Sequence, residues 1–144
     1  MTRAVWRATM LAVSLIVLFD ATVVARAQSA TARSTRDGIF SAEQAERGRA
    51  GFLWNCMECH ELEEYTAAGA YLEEMDGKSV WDIFEFIWSE MPEDNPSWLE
   101  PEQYADILAY ILSIYGMPAG EEDLPTDEGT LEEIVVQGPS RGGG

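Results

Sequence analysis

The chain has 144 residues, with 26 Asp+Glu against 9 Lys+Arg, one His and two Cys, for a formal charge of −17. Such an acidic surface repels nucleic acid and anionic lipid. A single His leaves no two-His metal site, and two Cys are too few for a disulfide scaffold. Yet 47% apolar residues, among them five Trp and five Tyr, exceed what a disordered acidic tail carries. One folded domain is the expectation at this length.

Residues 1–27 read as a secretory signal. Arg3 and Arg7 form a positive start, Met10 to Phe19 an apolar run, and Ala25-Arg26-Ala27 a small-residue cleavage site before Gln28. The run falls well short of the roughly 20 residues a membrane span needs, and Asp20 closes it. Cleavage after Ala27, export and no stable membrane insertion are the expectation. Loss of Arg3, Arg7, Arg26 and Asp20 takes the charge from −17 to −19. From Glu58 onward only Lys78 and Arg141 oppose 22 acids.

Residues 28–37 are rich in Ser, Ala, Thr and Arg without periodicity, which predicts a flexible leader. A first helix is predicted from Ser41 to about Asn55, with Ser41 as cap and Gln44 reaching back to complete a capping box. A second follows Ser79, where Val80, Ile83, Phe84, Ile87, Trp88 and Met91 recur at helical spacing until Pro92 stops them. A third begins at Pro101, with Tyr104, Ile107, Leu108, Ile111, Leu112 and Tyr115 as its stripe and Gly116 and Pro118 at its end. No alternating strand pattern of useful length is present. The fold class expected is therefore all-α, three main helices in a domain over 38–118. An acidic arm and a short apolar strap follow at 119–136, the strap either lying against the domain or loose, and a disordered tail is expected over 137–144. A core of about 80 residues is marginal on apolar burial alone and usually needs a staple, metal or cofactor.

Cys56-Met57-Glu58-Cys59-His60 is the C-x-x-C-H attachment signature of haem c, at the end of the first helix in an exported chain. Thiols three residues apart on one turn can each form a thioether to the same porphyrin edge, and the adjacent imidazole is then aimed at the iron. The alternatives fit less well. A Cys56–Cys59 disulfide closes a small strained loop and leaves His60 without a role. Zinc wants four N or S ligands where three exist, and a thioredoxin-like pair lacks its strand and βαβ context. The predicted cofactor is one covalently attached haem c, with Cys56 and Cys59 as thioethers and His60 as proximal ligand. With no second His, the distal ligand is expected to be Met, which raises the potential. Met75, Met91 and Met117 are the candidates outside the signal and the motif. Met91 is preferred because Pro92 forces the chain into an extended loop that can cross a haem face. Met75 could instead pack on the macrocycle.

These residues give the chain a resemblance to class I cytochrome c, specifically the small periplasmic type associated with quinoprotein (PQQ-dependent) dehydrogenases. It covers about residues 41–136 and rests on Gln44-Ala45-Glu46-Arg47-Gly48 before Cys56–His60, Met91-Pro92-Glu93-Asp94-Asn95-Pro96, Tyr104 through Leu112, and Gly116-Met117-Pro118-Ala119-Gly120. The resemblance implies a crossing of first and last helices at Gly48 and Phe52 against Ile107 and Tyr110. It implies a non-enzymatic carrier of single electrons between a quinoprotein dehydrogenase and an oxidase or second cytochrome. A permanently bound dehydrogenase subunit, docked through the acidic arm and strap, is the second reading, and a haem-based ligand sensor or small peroxidase the third. The excess of acid predicts a redox partner with a basic docking face and association that weakens as salt rises. In the family the proximal His usually donates its Nδ1–H to a backbone carbonyl, often of a Pro; no Pro lies between His60 and Met91, and the sequence names no substitute.

Overall fold

The computed structural model describes residues 33–66 and 74–138. In chain order it holds strand β1 (Arg33–Ser34), helix α1 (Ala42–Asn55), a 3₁₀ turn (Leu62–Tyr65), α2 (Val80–Glu90), α3 (Pro101–Ile114), the short α4 (Glu128–Glu132) and strand β2 (Ile134–Val135). The molecule is thus mostly helical, as the periodicity predicts. The proposed signal, residues 28–32 of the leader and the tail beyond Gly138 lie outside the described residues. Among those described, no helix is long and apolar enough to cross a membrane.

Local chemistry sets the helix limits. Ser41 Oγ accepts from the Gln44 amide at 3.0 Å and starts α1. At α2 the capping box is complete: Ser79 Oγ accepts from Asp82 N at 3.1 Å, and Asp82 Oδ2 from Ser79 N at 2.7 Å. Pro101 opens α3 at its first turn. That helix ends where Gly116 takes φ +84, with Gly116 N donating to Ser113 O at 2.9 Å and Met117 N to Leu112 O at 3.0 Å. This reciprocal pair satisfies last-turn carbonyls and needs a left-handed residue between them, which glycine supplies without strain.

One capping expectation is corrected. Gln44 does not reach back to Ser41. Its buried side chain clamps the Leu124 peptide, Nε2 donating to Leu124 O at 3.1 Å and Oε1 accepting from Leu124 N at 2.6 Å. A buried amide must satisfy both donor and acceptor, and the returning carboxyl-terminal segment offers both.

That segment also corrects the reading of the two ends. Residues 33–37 are no flexible leader: β1 pairs in parallel with β2, Arg33 opposite Ile134 and Ser34 opposite Val135. Thr35 is fully buried and exchanges hydrogen bonds of 3.0 Å with Gln137, its Oγ1 donating to Gln137 O and accepting from Gln137 N. The strap lies on the domain, with Leu124, Leu131, Ile134 and Val136 buried in the common core. Order runs on past the expected end of the strap, Gly138 N donating to Asp76 Oδ1 at 3.0 Å. Isolated, these pieces show no usable period; they form because each supplies the other's hydrogen bonds and apolar cover.

α1 and α3 cross at Gly48. A Cβ there would stand 1.7 Å from Asp106 O and 2.9 Å from Ile107 N, so only glycine permits this approach. One turn on, Phe52 is fully buried with its ring 5.3 Å from that of Tyr110. Arg47 fastens the outside of the crossing, its Nε and Nη2 each 3.0 Å from the Asp106 carboxylate, and Nη2 also reaches Asp123 Oδ2 at 2.6 Å.

Candidate functional site

The chain leaves α1 in a tight turn rather than an extended loop. Cys59 N donates to Cys56 O at 3.2 Å and His60 N to the same carbonyl at 3.0 Å, which gathers Cys56, Cys59 and His60 on one turn. The thiols are free. Burial pushes Cys56 up to about 11, so its sulfur carries its proton at neutral pH.

This turn forms one wall of a cavity of about 870 Å³. Phe52 from α1 and Ile107 and Ile111 from α3 also line it, as do Ile87 and Phe86 from α2 and the segment that begins with Met91 and Pro92. All four predicted site residues, Cys56, Cys59, His60 and Met91, therefore face the same space. Neither Met75 nor Met117 is among the described residues that line it. Met117 is buried in the core, and Met75 receives a hydrogen bond from Lys78 Nζ at 3.6 Å.

Met91 is held by the backbone on both sides. It caps α2 in extended conformation (φ −123, ψ 144), as the residue before a proline must. The buried Tyr104 donates its hydroxyl to Met91 O at 2.8 Å; desolvation raises this phenol, which keeps the donor protonated. The loop beyond is pinned back on α2, Ser97 donating N–H and Oγ–H to Trp88 O at 3.1 and 2.9 Å.

His60 sits in a ring cluster. Tyr65 lies edge-on to it at 5.6 Å and edge-on to Phe52 at 5.1 Å. Its Nδ1 is 3.1 Å from Glu64 Oε2. That hydrogen bond, and a second from Glu61 N, hold the Glu64 carboxyl below its ordinary range. Four acids line the cavity, Glu58, Glu64, Glu93 and Asp94, and no Lys or Arg does among the described residues.

Sequence reading alone gives Tyr65 no role, places Tyr104 only on the stripe of the third helix, and counts Glu64 only among the acids that follow the motif. Only Glu64 leaves a local trace, four residues from His60 and hence within reach on a helical turn; Tyr104 meets Met91 across 13 residues with no periodic signal. Among the described residues, no three His, Cys, Asp or Glu side chains group as ligands for a bare ion. No family model, curated protein or solved structure matches this chain, so the chemistry of the cavity stands on the residues that line it.

Proposed function

We propose that this chain is a periplasmic monohaem c-type cytochrome, a non-enzymatic carrier of single electrons. One observation carries the reading: two thiols and an imidazole on one turn, and a thioether from a distant part of the chain, line one largely apolar cavity. Its volume falls within the ~300–1,000 Å³ usual for cofactor sites. The donors suit a flat group that brings its own equatorial ligands. Cys56 and Cys59 would each add across a vinyl group, sulfur bonding to one carbon and hydrogen passing to the other, with no net oxidation. His60 and Met91 would hold the iron in this reading, and haem, when bound, would supply the ferric–ferrous couple. The helix crossing at Gly48 and Phe52 supports the likeness to class I cytochrome c.

With His60 and Met91 both holding the iron, no position would remain for a substrate, which favours electron transfer over substrate chemistry. The acids at the cavity favour a donor or acceptor with a basic docking face, a quinoprotein dehydrogenase and a downstream oxidase or cytochrome being the classes expected. A free carrier is preferred to a permanent subunit because the strap's apolar side chains are buried in the chain's own core and are not on offer to a partner. Met91→Ala tests the reading. The near-infrared sulfur-to-iron absorption should vanish, the potential fall, and one covalent haem remain. A band that persists in Met91→Ala excludes Met91, and rapid CO binding to the reduced wild type favours a ligand sensor instead.

A further inference from the structure

The haem reading leaves one atom of the iron ligand without a partner from the sequence, the Nδ1–H of His60. We propose that the Glu64 carboxylate accepts this proton's hydrogen bond and thereby acts as a positioning residue that sets the basicity of the proximal ligand. The inference rests on the haem reading and extends it to a residue outside the iron's own ligands.

Three independent contacts fix Glu64 for the task. Its Oε2 lies 3.1 Å from His60 Nδ1, while Oε1 accepts from Glu61 N at 3.3 Å, so each oxygen has its own donor. The Tyr115 hydroxyl, on an otherwise buried side chain, donates to Glu64 O at 3.1 Å and anchors the backbone from the end of α3. Tyr65, the next residue, packs its ring against His60 and limits the imidazole's rotation. With Nδ1 engaged, Nε2 is the nitrogen available to iron.

A carboxylate is a stronger acceptor than a carbonyl and carries a full charge. It draws the Nδ1 proton, makes Nε2 a better electron donor, and favours ferric over ferrous iron. Glu64 thus opposes the upward push of Met91. Its effect passes through a hydrogen bond, so it should differ in kind from that of the other acids. Glu63, in the same 3₁₀ turn and exposed, carries the same charge, while the hydrogen bond to His60 Nδ1 belongs to Glu64.

The experiment compares the wild type, Glu64→Gln and Glu63→Gln as full, exported, haem-loaded proteins, each first shown by intact mass to carry one covalent haem. Reduction potential is read at low and high salt. The ferrous iron–imidazole stretch is read by resonance Raman in a Met91→Ala background. Glu64→Gln should shift the ferric–ferrous equilibrium about tenfold toward ferrous, about 59 mV for one electron, persisting at high salt, and should lower the stretch. Glu63→Gln should give a smaller shift that salt removes, with the stretch unchanged. Equal, salt-screened shifts and an unmoved stretch in both variants would overturn the role of Glu64 while leaving the cytochrome reading intact. A wild type without covalent haem would overturn both.

Discussion

At the scale of single residues, Tyr104 shows how the proposed distal ligand is held. Its hydroxyl reaches Met91 O, the carbonyl of the residue whose sulfur the account assigns to iron. Tyr104→Phe keeps the ring in the core and removes this bond, worth about 1 kcal/mol, together with the phenol's interactions with the Leu99, Trp98 and Ser97 backbone. We expect the fold and haem to survive and Met91 to yield about fivefold more readily to exogenous imidazole, since about 1 kcal/mol is a factor of roughly 5. Titration of the ferric protein with imidazole measures this; an unchanged affinity would show that Tyr104 has no hold on the ligand. Cys56, Cys59 and His60 were legible because their spacing is itself the chemistry. Tyr104 and Tyr115 were not, because each meets its partner only after the chain has folded back.

At the scale of elements, the α1–α3 crossing depends on a missing side chain. Gly48→Ala gains up to about 1 kcal/mol of helix propensity, but its Cβ would meet the Asp106 carbonyl at 1.7 Å. That neighbour is backbone, so the helices must part, and overpacking of this kind costs about 3 kcal/mol. Sterics win. Gly51→Ala provides the contrast, since its Cβ would meet only the Ile107 side chain, at 3.1 Å, and we expect it to be close to neutral. Thermal melting of both haem-loaded variants tests the ordering; equal melting temperatures would remove the crossing from the account. Helices and caps were legible from sequence because Ser41, Ser79, Pro101 and Gly116 act within a turn of their targets. The β1–β2 pair and the Gln44–Leu124 clamp were not, since their hydrogen bonds span 80 residues or more.

At the scale of the whole molecule, two properties need one explanation. The charge is −17, while helices and loops line an open, largely apolar cavity of about 870 Å³. An apolar cavity lined by two thiols suits a group that packs there and staples a small domain. The proposed covalent haem c would fill it, with the acids at the cavity, Glu58, Glu64, Glu93 and Asp94, as its electrostatic frame. Intact mass and a pyridine haemochrome spectrum of the exported protein test this most directly. The account predicts a chain beginning at Gln28 that carries one covalent haem, and no covalent haem in the Cys56→Ala/Cys59→Ala double variant. An exported, folded wild-type chain without haem mass, or haem retained covalently by the double variant, would contradict it.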